Sequence, residues 1–578
     1  MRGIRISLTE ADLMDSGTRS DMIKTWTRRD IIVSAGITAI GSGIASGNAA
    51  DAVAGPNPTK NGKRVTLLHF TDTHAQLETH PEYLPGAMPD IQMMGGYARL
   101  KTAIDQEREQ CEGACFVLDG GDEFQGSGPA AWSQGEVILE PLKALGIDVF
   151  TPGNWEPAYG PEVFKATMAR LGCPVVCYNF HDSASGNRLF RASVTLERQG
   201  VKVAVVGVTD IGASKRQPPV EFRGMDTSRI AGLRDFVQTL RAREKPDLVV
   251  ALTHTGLSIA RDIARRTPEL DVVLSGHTHE RTAWPIMEGH VIVVEPGCFG
   301  SFLGRLDLVI KPGGGVAGHA FKLIPILASR YEENAQVKAL VDQSLAPHRA
   351  RMAIKAGTTQ TVLMRYDLLE TTADDFIADA VREVAQADIG FTNGFRFGVP
   401  VPPETVTEAD LWNLLPMDAR MKRGWVTGKE LRDYLEHELE MVYAKNPMQL
   451  NGGWGPRASG MTFTFDARAR YGRRVVAIKI NGRPAEDAAH YTIAGCEREG
   501  EPMDVICRHR GTHDAKILPM SIHDALDAYF KAHPVIAPRR DGREIALDLP
   551  HAVFSQDAVL AGGDLNKAAT TPHGLPPG

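Results

Sequence analysis

The sequence predicts a layered α/β sandwich followed by a second domain of mixed helices and strands. Three observations predict it. From Arg64 onward, short apolar, β-prone runs alternate with helical stretches, the pattern of sheets covered by helices. Several of those runs end in loops that set Asp, Asn or His beside Gly, and ligands in such folds gather beyond the carboxyl ends of strands. The length of 578 residues also exceeds what one hydrophobic core holds.

The first 21 residues are polar and aperiodic, with Met22 as an alternative start. Thr27-Arg28-Arg29-Asp30-Ile31-Ile32 then leads a weakly apolar run to Ala45, and small residues fill Asn48 to Ala54. Basic start, short apolar middle and small-residue exit make 1–54 a secretory signal, and its paired arginines resemble a twin-arginine (Tat) leader. That implies periplasmic export of a folded protein. The expected divisions after it are a first domain over 60–330, a linking helix within 331–360, a second domain over 361–555 and a loose tail over 556–578.

Within the first domain the expected strands are Val65–Phe70, Ala114–Leu118, Asp148–Phe150, Val175–Tyr178, Val201–Val208, Leu248–Leu252, Val272–Leu274, Val291–Val294 and Leu303–Ile310. Helices are expected from Gly95 to Gln110 and over Glu136–Leu145, Pro161–Leu171, Ile230–Arg243 and Ser258–Arg266. A strand over Phe321–Pro325 precedes the linking helix, expected from Glu333 to Ala353. The second domain is marked by helices over Asp375–Ala385 and Gly428–Tyr443 and by strand-like Met461–Phe465, Val475–Ile480 and Tyr491–Ala494.

A net charge of −7 with 23% charged residues sets general nucleic-acid binding aside, and no apolar run reaches membrane-spanning length. The seven cysteines, an odd number, include two C-x3-C pairs, Cys111/Cys115 and Cys173/Cys177. None has the partners of a zinc ribbon, and the ordinary expectation is buried or surface thiols.

The strand-end loops carry the chemistry. They offer Asp72 and His74, then Asp122, then Asn154, then His254, then His277 and His279. Seven N/O donors exceed one four-coordinate ion and suit two ions sharing a carboxylate, with Asp122 at the end of a central strand as the expected bridge. Mixed imidazole, carboxylate and amide donors favour manganese, iron or zinc over calcium or magnesium.

The pattern Asp72-x-His74, Gly121-Asp122, Gly153-Asn154-x-Glu156, His254 and Gly276-His277-x-His279 resembles the calcineurin-like metallophosphoesterase superfamily. With the second domain, the chain from about Arg64 to Phe554 resembles the 5'-nucleotidase family. The resemblance implies a four-layer α/β sandwich with a C-terminal α+β nucleotidase-type domain. It implies one metal held by Asp72, His74, Asp122 and His279, and another held by Asp122, Asn154, His254 and His277. His279 stands where nucleotidases often carry Gln.

Two departures from nucleotidases stand out. Trp155 and Ala158 occupy the positions of a transition-state His and its Asp partner, and Trp exchanges no proton near neutral pH. Leu415-Pro416-Met417-Asp418 and Ala494-Gly495-Cys496-Glu497 lack the aromatics that clamp the base, where stacking contributes about 1–3 kcal/mol per base.

Trp155-Glu156-x-x-Tyr159-Gly160, Gly394-Phe395-Arg396-Phe397-Gly398 and Asn451-Gly452-Gly453 are similar to the SoxB family of periplasmic thiosulfohydrolases, in which His stands at the Asn154 position. That likeness implies two manganese ions, a carrier protein of the SoxYZ kind as partner, and release of sulfate from its cysteine-bound thiosulfonate by attack of a bridging hydroxide. Arg396 has the fork to hold an anionic oxygen, while Trp155 and Tyr159 would line the slot for the carrier's arm. Hydrolysis of nucleotides or related phosphate esters is the alternative.

Overall fold

The computed structural model describes residues 62–84, 90–367, 369–444, 446–449 and 455–548. The expected signal over 1–54, the tail over 556–578 and the Asn451-Gly452-Gly453 motif lie outside them. Among the described residues no helix is long and apolar enough to cross a membrane.

The strands of the first domain's two large sheets are, in chain order, β1 (Arg64–Phe70), β2 (Ala114–Asp119), β3 (Val149–Phe150), β4 (Ser193–Arg198), β5 (Val201–Thr209), β6 (Leu248–His254), β7 (Val272–Ser275), β8 (Ile286–Glu288), β9 (Val291–Val294), β10 (Phe302–Ile310) and β11 (Val316–Pro325). They form two sheets, ordered β11-β10-β1-β2-β3 and β8-β9-β7-β6-β5-β4. The ligand-bearing strands run parallel: β1 beside β2 beside β3 in one sheet, β5 beside β6 beside β7 in the other. Parallel strands deliver all their carboxyl ends to one edge, so loops far apart in sequence meet there.

The apolar runs explain the layering. Val65, Leu67, Phe116 and Leu118 from one sheet interlock with Val203, Val205, Val250 and Leu252 from the other in one buried cluster. The opposite faces pack on helices: Tyr97–Glu109, Glu136–Ala144, Pro161–Arg170 and Ala335–Leu345 on the first sheet, Leu233–Glu244 and Leu257–Arg266 on the second. Strands buried on both faces carry continuous rather than alternating hydrophobicity, as β5 and β6 do. The result is the four-layer sandwich.

Two expected elements differ. Val175–Tyr178 forms only isolated bridges, Phe150 with Val175 and Val176 with Arg191, because its backbone groups are shared between two short partners. The linking helix is broken into Ala335–Leu345, a tight turn over Ala346–His348 and Arg349–Met352; Pro347 lacks the N–H that would continue the first helix.

The second domain centres on a five-stranded sheet of β12 (Ile389–Thr392), β13 (Arg420–Thr427), β14 (Arg457–Ser459), β15 (His490–Cys496) and β16 (His513–Ser521), ordered β14-β12-β15-β13-β16. Its helices Thr372–Ala385 and Gly428–Val442 begin at threonine caps, Thr371 and Thr427, whose side chains accept from the first-turn N–H groups. One loop leaving this sheet, residues 393–398, turns back onto the carboxyl edge of the first domain, where Arg396 Nη2 donates to the His277 carbonyl at 2.8 Å.

Candidate metal centre

Six of the seven expected donors meet at that edge in two groups. Asp72, His74 and His279 form one group with donor atoms within 4.8 Å of one another, and Asp122, His254 and His277 form a second with the same span. All of them, and Asn154, are buried. Asp122 stands between the groups, its Oδ2 3.0 Å from His254 Nε2 and 3.9 Å from His74 Nε2. Asp72 Oδ1 likewise lies 3.2 Å from His279 Nε2, 3.8 Å from His74 Nε2 and 3.7 Å from His254 Nε2.

The backbone is bent to achieve this. Asp72, His74, Asp122, His277 and His279 all have φ between 47° and 87°. That left-handed region is costly for side-chain-bearing residues and persists only where surroundings enforce it. The enforcement is visible: Asp72 N donates to the Gly121 carbonyl at 2.7 Å and His74 N to the Asp122 carbonyl at 3.0 Å, lacing the two loops together.

Glycine supplies the remaining space. A Cβ on Gly153 would stand 2.2 Å from Asp122 Oδ1, and one on Gly276 would stand 2.8 Å from Asp72 Oδ2.

Three buried glutamates hold the loops, and sequence reasoning gave none of them a role. Glu123 accepts from Thr73 N at 3.3 Å, from Tyr97 Oη at 2.8 Å and from Thr73 Oγ1. Glu156 accepts from the N–H groups of Asp122 at 3.1 Å, Glu123 at 2.8 Å and Gly153 at 2.5 Å. Glu295 accepts from Ser275 Oγ at 2.6 Å, Thr278 Oγ1 at 2.8 Å and Glu280 N at 2.9 Å. Burial is the chief force pushing these carboxyls up, to about 7, 8 and 7 respectively. The one available signal was position, since Glu123 follows Asp122 directly and Glu156 lies two residues after Asn154.

The donor chemistry fits cations. His74 Nδ1 faces the Gln125 carbonyl at 2.8 Å and His254 Nδ1 faces the Gly120 carbonyl at 2.7 Å. A carbonyl only accepts, so each Nδ1 carries a proton and Nε2 is the ring nitrogen that faces the centre. His74 Nε2 meets His279 Nε2 at 3.0 Å, and His254 Nε2 meets the Asp122 carboxylate at 3.0 Å. Such contacts call for positive charge among them, from a proton or from a metal ion. Asp72 Oδ1, Asn154 Oδ1 and His254 Nε2 are buried with no hydrogen bond among the described residues, an expensive condition that a shared cation relieves.

A proton on His254 is one source of that charge. Burial lowers the His254 imidazole, yet the Asp122 and Asp72 carboxylates outweigh it and raise it well above its ordinary value. Burial pushes Asp72 up, yet His254, His279 and His74 hold it below the ordinary carboxylate range. His277 and His279 are lowered, chiefly by burial, the latter to about 4, which leaves them as neutral ligands. The ring nitrogen of His279 that faces away from the centre, Nδ1, is engaged by the Tyr366 hydroxyl of the second domain, which fixes that ring's orientation.

The other singled-out residues take different places. The Trp155 backbone N–H donates to Asp122 Oδ1 at 2.8 Å, and the Trp155 ring packs edge-on against Phe395 and Phe397, centroids 5.6 and 5.2 Å away. Phe397 in turn stands edge-on to His74 at 5.0 Å. The Tyr159 hydroxyl donates to the Phe124 carbonyl at 3.2 Å, shaping its loop. Where nucleotidases have base-clamping aromatics, the Pro416 carbonyl accepts from Gln125 Nε2 at 2.8 Å, and Cys496 ends β15.

Glu156→Gln keeps the shape but turns an amide N–H toward backbone donors. Metal affinity is expected to fall by about 10–100-fold, the cost typical of losing an outer-shell support, as measured by chelator competition.

Residues 65–281 match the calcineurin-like phosphoesterase family and residues 355–497 match the 5'-nucleotidase C-terminal domain. The trifunctional nucleotide phosphoesterase YfkN of Bacillus subtilis is 25% identical over 481 residues, 75% of this chain and 31% of that protein, so the chain spans about a third of YfkN's length. A 5'-nucleotidase of Vibrio cholerae is 24% identical over 429 residues, 64% of this chain and 75% of that one. The solved structure of Thermus thermophilus sulfate thiohydrolase SoxB shares the fold, with a TM-score of 0.76 at 23% identity over 86% of this chain and 99% of that one. With both matches in order around two donor groups, the chain carries a calcineurin-like phosphoesterase domain followed by a 5'-nucleotidase C-terminal domain.

Proposed function

We propose that the protein is a periplasmic, SoxB-like thiosulfohydrolase that releases sulfate from a cysteine-bound thiosulfonate on a SoxYZ-like carrier. One observation carries the reading: the position of the nucleotidase histidine holds Trp155, and its ring closes an aromatic wall with Phe395 and Phe397 against the donor His74. The wall supplies apolar contact and excludes water; it supplies no proton. A persulfide leaves as a soft anion without one, whereas a nucleoside alkoxide is a far poorer leaving group and needs acid help.

The metal residues proposed are Asp72, His74, Asp122 and His279 for one ion, and Asp122, Asn154, His254 and His277 for the other, manganese foremost. When bound, such a pair supplies an activated water and neutralises charge on the substrate's oxygens. The chain's own groups do the rest. Arg396, anchored on the His277 carbonyl, sets a fixed positive charge beside the centre where sulfonate oxygens would lie. Asp122, with Oδ1 held by the Trp155 N–H, keeps its other oxygen toward His254. Tyr159 shapes the loop that carries Trp155 and Asn154. Export through the twin-arginine leader would bring the folded protein to its carrier.

A second reading, phosphoesterase activity on nucleotides, is favoured by the names of the curated relatives, YfkN and the Vibrio 5'-nucleotidase.

The test is a side-by-side assay of manganese-loaded mature protein on a peptide bearing Cys-S-thiosulfonate and on AMP. Sulfate release with little or no phosphate release is expected. Phosphate release alone would overturn the thiosulfohydrolase reading in favour of the second.

A further inference from the structure

Cys496 and Cys507 lie at the end of β15, apart from the metal centre. Their sulfurs are 2.7 Å apart, and both are free thiols here. The backbone already binds the two positions together: Cys507 N donates to the Cys496 carbonyl at 2.7 Å, and Cys496 N donates to Cys507 Sγ at 3.0 Å. The second sulfur packs over Gly495, where a Cβ would stand 2.8 Å from it. Cys507 is buried and Cys496 half-buried, so Cys496 is the more exposed of the two positions.

The segment between them reaches the first domain. Arg498 Nη2 donates to the Arg216 carbonyl, and a Cβ on Gly500 would stand 3.1 Å from Pro219. The Arg216 guanidinium pairs with Asp210, whose Oδ2 lies 3.9 Å from His277 Nε2. Arg508, next to Cys507, is paired with Glu438 at 3.0 Å and donates to the Asn393 carbonyl at 3.4 Å, at the root of the Arg396 loop. The two cysteines therefore bracket a loop that braces the rim of the centre from the second domain.

We infer that Cys496 and Cys507 are an oxidisable dithiol that closes to a disulfide and staples this bracing loop. The oxidant is a low-molecular-weight or protein disulfide. The Cys496 thiolate attacks one sulfur of it, forming a mixed disulfide and expelling one thiolate. Cys507 then loses its proton and attacks the Cys496 sulfur, expelling the second thiolate. Two protein thiols are oxidised and one external disulfide is reduced to two thiols. The pairing needs little backbone movement, because the sulfurs already stand within an ångström of the bonded length of about 2.05 Å. This inference does not depend on which substrate the enzyme takes.

The experiment treats the native holoenzyme with glutathione disulfide, alkylates it under denaturing conditions and digests it with trypsin. Cleavage after Arg498 puts the two cysteines on separate peptides. The expected result is that most chains yield the Cys496 peptide linked to the Cys507 peptide, and that the oxidised protein melts about 5 °C above the same protein reduced with dithiothreitol. C507S is expected to show no difference in melting between the two treatments. Recovery of both peptides singly alkylated, or linked only to other cysteines, would overturn the inference on wild-type protein alone, whatever the variant's folding and whatever the activity assays show.

Discussion

Asp122→Asn is expected to lower turnover by about a thousandfold or more, with the fold intact. The change is nearly isosteric, so packing is undisturbed, and the Trp155 N–H still finds an acceptor on the amide oxygen. What is lost is the charge between the two donor groups: Oδ2 faces His254 Nε2 at 3.0 Å and His74 Nε2 at 3.9 Å. An amide nitrogen there donates toward lone pairs and cannot be shared by two cations. The check is kcat on a chromogenic phosphodiester and on the thiosulfonate peptide, with circular dichroism and metal content on the same sample. Activity within tenfold of wild type would contradict the bridging role.

Gly153→Ala has the second large effect. The added methyl would stand 2.2 Å from Asp122 Oδ1 and 2.7 Å from His254 Cε1, so two donor side chains must shift together. Misplacement of about 1 Å at a reacting centre costs about a hundredfold, and overpacking adds about 1–3 kcal/mol of destabilisation. Steady-state kinetics and thermal unfolding read both. Gly318→Ala on β11 is the matched control: a Cβ there meets nothing within 4 Å, and near-wild-type values are expected. Wild-type activity in Gly153→Ala would show that the loop has room the geometry denies it.

The two variants also indicate why so much of the site was legible. Tight loops that aim side chains at one point need glycine beside the donor, so Gly121-Asp122, Gly153-Asn154 and Gly276-His277 stand out in the bare sequence. Strands such as β5 and β6 were legible because burial on both faces makes them continuous apolar runs.

What was not legible depends on long-range partners. β13 reads Arg-Met-Lys-Arg-Gly-Trp-Val-Thr, which carries no strand-like alternation. Lys422 is nevertheless buried in it, because its ammonium donates to the Pro502 and Val505 carbonyls at 3.2 Å each. No local pattern announces partners some eighty residues away. Glu295 and Tyr366 are likewise ordinary residues until the fold sets them beside the loops of His277 and His279. Trp155 departs from a family pattern in the bare sequence, but its wall of Phe395 and Phe397 comes from a different domain and is visible only in three dimensions.

The central claim is that two donor groups, joined at Asp122, make one binuclear centre. The most direct measurement is anomalous diffraction from crystals of the manganese-loaded protein, with metal stoichiometry measured in solution on the same preparation. The account predicts two peaks, one among Asp72, His74 and His279 and one among Asp122, His254 and His277, and two ions per chain. A single peak, or metal bound elsewhere with this cluster held together by protons alone, would contradict it.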